Sequence, residues 1–368
     1  TCNYPNRIIP AIHSRCQGFH IAKIDRTLFF FTVKRFGRSP RRFLFGLMLT
    51  TAFGSMFMSN TATTAMMISS ILPMVQLMGK QHPFSQMIMV GIPASAAVGG
   101  IGTIIGSTPN AIAVGALQEI GYKINFVDWM IFGLPTALIL VYSFYKFLSS
   151  KIPKDMEMSD LNLDNLKKDD DVDKKDRNAV LFTLIVTVSL WLTEPLHGIP
   201  VAATSAVPIV LLTLTQVIEA QHIRQLPWDT LMLVAGGLAL GLAIVEVGLS
   251  TIIMEELDKL PFPPIGVVAI FAFVAIMLSN IMSNTAASAI LVPLGLSLSG
   301  IFGIAAPLII AISCSCALLL PVSTPANAIA YSTGMVEQSA FRKGGLFYFF
   351  LGPITAMAVV MLYVWIFV

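Results

Sequence analysis

The chain has 368 residues, of which 55% are hydrophobic and 12% are charged. So apolar a composition excludes an ordinary soluble domain and is typical of a multispanning membrane protein. The formal net charge of +3 indicates no particular partner, and no nucleic-acid partner is predicted. The four cysteines show no metal-ligand spacing with histidine. Since no nucleophile–base constellation is present either, the sequence predicts neither an enzyme nor a cofactor.

The N-terminal part of the chain leads into a first repeat, predicted over residues 21–149. Residues 1–20 form an atypical, mixed polar segment without the apolar core of a signal peptide. A basic cluster follows, and the positive-inside rule places it in the cytoplasm. The cluster consists of Lys34, Arg35, Arg38, Arg41 and Arg42.

The first polar motif of the repeat, Ser59-Asn60-Thr61-Ala62, lies between two apolar arms, residues 43–58 and 62–78. Each arm is barely long enough to cross a bilayer. Residues 43–78 are therefore predicted to form a re-entrant helical hairpin with a polar tip. Two complete spans remain the alternative.

A second polar motif interrupts the next apolar run, residues 86–117, at Gly106-Ser107-Thr108-Pro109-Asn110. Proline removes a backbone donor, so this run is predicted to be a membrane helix that unwinds at the motif. The apolar segment 126–148 completes the first half. Residues 150–178 then carry seven Lys/Arg and nine Asp/Glu and are predicted to be a cytoplasmic hydrophilic linker.

The second half, residues 179–368, repeats the two motifs in the same order. A hairpin is predicted over residues 264–299, with Ser283-Asn284-Thr285-Ala286 at its tip, and a broken helix over 304–334, with Ser323-Thr324-Pro325-Ala326-Asn327 at its break. The loop charges place the two hairpins in the membrane from opposite faces. The fold class predicted is an all-α polytopic membrane protein built from inverted repeats.

Other segments have simpler interpretations. Residues 179–192, 201–218 and 231–247 are predicted membrane spans. Four tryptophans lie near the ends of apolar segments, where interfacial tryptophan is common; they are Trp129, Trp191, Trp228 and Trp365. Glycine clusters at residues 99–102 and 236–237 indicate close helix packing rather than a nucleotide loop, since neither continues into a phosphate-loop Lys-Ser/Thr pair.

The chemistry of the two tips indicates an ion and anion site. The start of a hairpin's second arm offers free N–H groups to an anion, and the end of its first arm offers carbonyls to a cation. Asn60 and Asn284 each supply an amide oxygen and an amide nitrogen. Ser55 and Ser279 lie four residues before Ser59 and Ser283, on the same helical face.

The absence of charge near these motifs favours Na⁺ as the coupling ion. No Asp, Glu, Lys or Arg lies within ten residues of either Ser-Asn-Thr motif, whereas a proton-coupled carrier usually needs a titratable relay in the membrane. A divalent anion held without Arg or Lys would be neutralised by co-bound Na⁺. A single Ser-Asn-Thr in an apolar helix would indicate hydrogen bonding between helices. Two copies, each followed by a matching break, instead favour a binding site.

These motifs resemble the divalent anion/sodium symporter family, called solute carrier family 13 in animals. The resemblance covers roughly residues 18–368 and is carried by the two tips and by the approach to the first hairpin, Lys34-Arg35-Phe36-Gly37-Arg38-Ser39-Pro40. It departs from the family at the breaks, which have one proline fewer than the usual Thr-Pro-Pro-Asn. It also implies about three further spans at the N-terminus, so the chain is expected to be N-terminally short.

The resemblance implies a role for each site residue. One Na⁺ site would use Ser55, Ser59, Asn60 and Gly106, and the other Ser279, Met282, Asn284 and Ser323. The substrate carboxylates would be held by Asn60, Thr61, Ser107, Asn284, Thr285, Thr324 and Pro325.

The resemblance also implies a function. This is Na⁺-coupled symport of a C4 dicarboxylate or related di- or tricarboxylate, by an elevator movement in a homodimer, across a plasma membrane or bacterial inner membrane. Sulfate symport, sodium-independent anion exchange and a fragment that does not transport remain alternatives.

Overall fold

The computed structural model describes residues 32–37, 39–152, 174–218, 228–248, 263–298 and 304–367, with the isolated residues 156, 252 and 255. Every regular element in this part of the chain is helical. The predicted segment 1–20 and most of the predicted linker lie outside the described residues.

Fifteen α-helices are described between residues 40 and 367. Those of the first half are α1 (Pro40–Ser55), α2 (Asn60–Met78), α3 (Pro83–Gly99), α4 (Thr108–Glu119) and α5 (Phe126–Ser149), with a 3₁₀ turn at Gly100–Gly102. A middle group comprises α6 (Lys174–Leu192), α7 (Glu194–His197), α8 (Val201–Thr204), α9 (Val207–Leu214) and α10 (Trp228–Glu246). The remainder are α11 (Pro264–Ile281), α12 (Asn284–Leu296), α13 (Ala305–Cys314), α14 (Pro325–Ser332) and α15 (Gln338–Phe367).

Four of the described helical stretches are long and apolar enough to cross a membrane: Asn60–Met78, Pro83–Gly102, Phe126–Ser149 and Gln338–Phe367. α3 is almost wholly enclosed by protein, so it forms the centre of the fold rather than its lipid face. α15 exposes large apolar side chains such as Leu346, Phe350 and Trp365, as a helix at a lipid boundary does.

The two segments predicted as hairpins share one design. α1 and α2 have 16 and 19 residues, and α11 and α12 have 18 and 13. At about 1.5 Å per residue, these arms are about 24, 28, 27 and 20 Å long, shorter than a hydrocarbon core of about 30 Å. Since α2 alone also meets the length and hydropathy of a span, the re-entrant hairpin stays a prediction.

Two boundaries differ from the sequence prediction. The predicted span 201–218 is not one helix, because α8 ends at Thr204 and α9 begins at Val207, with Pro208 in its first turn. Proline has no N–H to continue a preceding helix. α6 begins at Lys174, inside the predicted linker, so the last charged residues of that segment already belong to a helix.

Each hairpin packs against the other half of the molecule. α2 lies against α14, and α12 lies against α4. α13 packs on α4, α11 and α12, and α15 covers α5 and α13. Gln86 of α3 ties the halves further, since its Nε2 donates to Met335 O at 3.2 Å and its Oε1 accepts from Glu337 N at 2.8 Å. The two hairpins and the two broken helices therefore form one packed body.

Two glycines inside helices differ in the space around them: one is closely packed and the other faces open space. A Cβ on Gly345 of α15 would lie 2.2 Å from Leu319 Cα and 2.4 Å from Leu319 N, whereas a Cβ on Gly236 of α10 would meet nothing within 4 Å. Gly345 therefore lets α15 approach the backbone of residues 315–324.

We expect Gly345→Ala to lower the unfolding free energy by about 1–3 kcal/mol, the usual cost of overpacking. The matched change Gly236→Ala should be neutral or stabilising by about 0.5–1 kcal/mol, because alanine favours a helix over glycine. Thermal unfolding of the purified protein in detergent measures both. Equal midpoints for the two variants would contradict the close approach at Gly345.

Candidate cation and anion site

The two tips have the same backbone and the same cap. Ser59 has φ −68° and ψ 147° and precedes α2; Ser283 has φ −65° and ψ 148° and precedes α12. Each serine Oγ accepts the N–H of the residue three positions on, Ala62 or Ala286, at 3.2 Å. The extended conformation of the capping serine ends the first arm and starts the second. The free N–H groups of α2 and α12 are thereby left at the tips.

Each tip asparagine is held by a serine of the preceding arm. Ser55 Oγ lies 2.6 Å from the Asn60 amide, and Ser279 Oγ donates to Asn284 Oδ1 at 2.7 Å. Ser55 and Ser279 are fully buried, and in both cases the asparagine lies five positions after the serine. Both pairs place a serine hydroxyl beside a side-chain amide at the same position in their hairpins.

The helix breaks begin earlier than the sequence suggested. The first break comprises residues 100–107, because α3 ends at Gly99 and α4 starts at Thr108. The second break comprises residues 315–324, between α13 and α14. The proline-containing motifs predicted to be the breaks therefore mark where each helix resumes.

A buried asparagine closes each break. Asn110 Nδ2 donates to Thr103 O at 2.8 Å and to Gly100 O at 2.9 Å. Asn327 Nδ2 donates to Leu320 O at 3.3 Å and to Ser323 Oγ at 3.0 Å. Each amide reaches a carbonyl seven residues earlier, which satisfies an acceptor that the lost helix leaves open.

Each hairpin is also pinned to the break of its own half. In the first half Thr103 Oγ1 donates to Met56 O at 2.5 Å. In the second half Asn280 Oδ1 accepts Leu319 N at 2.7 Å. Met56 and Asn280 both lie one residue after the serine that holds the tip asparagine. The same position is thus used in both halves, with different chemistry.

The two breaks meet at the centre of the body. Ser107 Oγ and Ser315 Oγ are 3.1 Å apart, and Ser279 Oγ also lies 2.7 Å from Cys314 O. No group of three His, Cys, Asp or Glu side chains that would hold a metal occurs within the described ranges. The centre is therefore lined by hydroxyls, amides and carbonyls, the hard neutral oxygens that suit an alkali cation rather than a transition metal.

The predicted site residues differ in burial. Ser107, Ser323 and Thr324 are buried, Pro325 is exposed, and the tip residues Asn60, Thr61, Met282, Asn284 and Thr285 are half-buried. Half-buried tips can meet a ligand. In the described part of the chain, no hydrogen bond joins the side chain of Thr61 or Thr285 to the asparagines, so their predicted roles rest on proximity in sequence alone.

Sequence reasoning missed the surroundings of Asn60. A Cβ on Gly100 would lie 2.6 Å from Gly106 O and 2.7 Å from the Asn60 amide, so this glycine leaves room for the predicted cation ligands. Trp129 and Trp191, predicted to be interfacial, are both fully enclosed by protein, and Trp129 Nε1 donates to Ile101 O at 2.8 Å. The Gly-Gly-Ile-Gly run at residues 99–102 was the sequence signal for this close approach. Within the run, Gly99 is explained by packing, because it lies against the backbone of Ala52.

The citrate transporter family model matches residues 22–314. The chain is 29% identical to the sodium-dependent dicarboxylate transporter SdcS of Staphylococcus saprophyticus, over 89% of this chain and 70% of the relative. It is 32% identical to an uncharacterized transporter of Haemophilus influenzae, over 90% and 75%. Among solved structures, MtrF of Neisseria gonorrhoeae, described in its title with a class of antimetabolite efflux pumps, aligns over 99% of this chain and 81% of that one.

The alignment with MtrF has a TM-score of 0.59 at 13% identity, which supports the fold alone. The sequence matches carry the family, because the family model spans most of the chain. Together with the apolar helices, they confirm the resemblance to the divalent anion/sodium symporters. The chain belongs to the citrate transporter family and is a multi-pass membrane transporter, not an enzyme.

Proposed function

We propose that the chain carries out Na⁺-coupled symport of a C4 dicarboxylate or a related di- or tricarboxylate. The observation that carries this proposal is the pair of matching tips, Ser55–Asn60 and Ser279–Asn284, at 2.6 and 2.7 Å. Both lack any charged side chain nearby in sequence. The name of the staphylococcal relative, a sodium-dependent dicarboxylate transporter, supports the same coupling ion and substrate class.

The charge balance explains why cation and anion would travel together. A dicarboxylate entering an apolar centre without Arg or Lys would lose its hydration and gain only neutral partners, which is costly. Na⁺ bound at the two tips, through Ser55, Ser59, Asn60 and Gly106 and through Ser279, Met282, Asn284 and Ser323, would supply positive charge beside it. The helix N-termini at Asn60 and Asn284 would add their dipoles.

Several groups would hold the anion itself. We assign the carboxylates to Asn60, Thr61, Ser107, Asn284, Thr285, Thr324 and Pro325. Asparagine can give its oxygen to the cation and its nitrogen to the anion at once, so Asn60 and Asn284 would join the two ligands directly. A transported anion must leave again, and hydroxyl and amide donors bind it less tightly than a buried guanidinium does.

The packing supports an elevator movement. The two hairpins, the broken helices and α15 form one body, whereas α6 and α7 meet α5 at few points. At these points the rings of Phe126 and Trp191 stack with their centroids 5.2 Å apart, and the Phe126 N–H donates to Glu194 Oε2 at 3.3 Å. α10, by contrast, packs closely along α12, since a Cβ on Gly237 would lie 2.6 Å from Ala289 Cβ. We propose that the body slides against a scaffold containing α6–α9, in a homodimer, and that the two halves are inverted repeats.

The first test is labelled succinate uptake into proteoliposomes, with an inward Na⁺ gradient against K⁺ or choline. Asn60→Ala and Asn284→Ala should each reduce Na⁺-driven uptake by at least about tenfold, since an unpaired buried polar contact costs about 1–3 kcal/mol. The control is Asn178→Ala, the same change at an exposed position of α6, which should leave uptake unchanged.

Competition with sulfate distinguishes the substrate class. Succinate should displace labelled succinate and excess sulfate should not. Uptake that proceeds equally in Na⁺ and choline would contradict the coupling ion, and uptake blocked by sulfate but not by succinate would contradict the carboxylate assignment.

Gly100 gives a prediction specific to the first cation site. Gly100→Ala should raise the Na⁺ concentration for half-maximal uptake by at least about tenfold, because its methyl group would displace Gly106 O or the Asn60 amide, and overpacking costs about 1–3 kcal/mol. In Gly102→Ala the new methyl would meet only the flexible Met56 side chain, at 2.9 Å, so this control should behave like the wild type. A Na⁺ titration of uptake measures both, and equal shifts would contradict the assignment.

A further inference from the structure

The two tip asparagines have different surroundings. Asn284 Oδ1 faces one group, the Ser279 hydroxyl, whose single proton lies within reach of both Asn284 Oδ1 and Cys314 O, each at 2.7 Å. At Asn60 three oxygens converge on one atom of the side-chain amide. These are Ser55 Oγ at 2.6 Å, Ala96 O at 3.0 Å and Gly106 O at 3.3 Å.

Two of those three oxygens are backbone carbonyls, which can only accept. The amide atom facing them must therefore be the nitrogen, whose two protons are shared among the three oxygens, or an oxygen that shares a cation with them. An oxygen alone would face acceptors with nothing between. Ser55 fits either arrangement, because a hydroxyl both donates and accepts.

We propose that the Asn60 amide turns over when Na⁺ binds at the first tip, and that this rotation makes its nitrogen available to the anion. The inference rests on the proposed function. Before Na⁺ binds, Nδ2 donates to Ala96 O and Gly106 O. With Na⁺ bound, Oδ1 and these carbonyls share the cation, so Ala96 O becomes an additional ligand. Nδ2 then points to the opposite side.

The rotation couples the two ligands because the amide has only one NH₂ group. The donor cannot serve the Ala96 and Gly106 carbonyls and a substrate carboxylate at the same time. Anion binding without Na⁺ would leave those carbonyls facing an amide oxygen. Na⁺ removes this conflict and thus raises anion affinity at Asn60.

The local packing permits the movement. Gly100 has no Cβ where one would lie 2.7 Å from the amide. Asn60 is half-buried at the first residue of α2, so its other face can meet a ligand. In the described part of the chain no backbone carbonyl is hydrogen-bonded to the Asn284 amide, so Na⁺ at the second tip frees no carbonyl pair comparable to Ala96 O and Gly106 O. The proposal therefore assigns the rotation to the first half only.

The test is NMR of the full chain in detergent, with ¹⁵N only in the asparagine side chains; the chain has eleven asparagines, few enough to resolve. The Asn60 signal is identified by its loss in Asn60→Asp and in Asn60→Ser, so assignment does not depend on one variant folding. Asn284→Asp identifies the matched control signal. Spectra are compared in K⁺, in Na⁺, and in Na⁺ with succinate.

We expect Na⁺ alone to shift the Asn60 NH₂ protons and to speed their exchange with water at least tenfold, because two carbonyl partners are lost. Succinate should then shift them again and slow the exchange. The Asn284 signal should keep its exchange rate in Na⁺ and respond to succinate. An Asn60 signal that is the same in K⁺ and Na⁺, or an Asn284 signal that changes equally, would overturn the proposal.

Measurements of thermal unfolding and uptake on the same preparation distinguish a failure of this proposal from a failure of the proposed function on which it rests. If Na⁺ raises the unfolding midpoint and drives uptake while the Asn60 exchange rate stays constant, the rotation is wrong and the symport stands. If Na⁺ neither raises the midpoint nor drives uptake, the proposed function fails and the rotation fails with it.

Discussion

Backbone polar groups that leave a helix inside an apolar body must find partners there, and this constraint shapes the centre of the molecule. The breaks at residues 100–107 and 315–324 free carbonyls and N–H groups far from bulk water. The side-chain amides of Asn110 and Asn327 each donate a hydrogen bond to the carbonyl seven residues earlier. Thr103 and Asn280 tie the breaks to the hairpin tips. The oxygens that these hydrogen bonds leave unused are the ones available to a ligand.

The same constraint explains why so few charges are needed. A fixed Arg or Lys in this centre would itself have to be desolvated and paired, and in the proposed function it would hold the anion throughout the transport cycle. Neutral oxygens carry no net charge, so a mobile cation has to supply the positive charge. In the proposed function the anion is then bound only when Na⁺ is present, so the chemistry of the lining also determines the coupling.

The sequence was sufficient to predict the helical membrane fold and the polar turns before α2 and α12. It placed the breaks at residues 106–110 and 323–327, whereas α4 and α14 already begin at Thr108 and Pro325. Ser59 and Ser283 act as helix caps, which local chemistry alone predicts. The roles of Gly100, Met56 and Trp129 could not be predicted, because they depend on which distant group comes near: Gly106 O, the Thr103 hydroxyl and Ile101 O respectively. Residues 201–218 were read as one span because their hydropathy is continuous, whereas Pro208 ends that continuity through a missing donor.

The two halves match in the backbone of their tips more closely than in the bonds that support those tips. The capping torsions of Ser59 and Ser283 agree within a few degrees, yet the position after Ser55 contributes a carbonyl and the position after Ser279 contributes an amide. The carbonyl at Met56 accepts a hydroxyl proton, and the amide at Asn280 accepts a backbone proton. The two proposed cation sites share this frame but are supported differently, so they have no reason to bind Na⁺ equally, and an order of binding can follow from that difference alone.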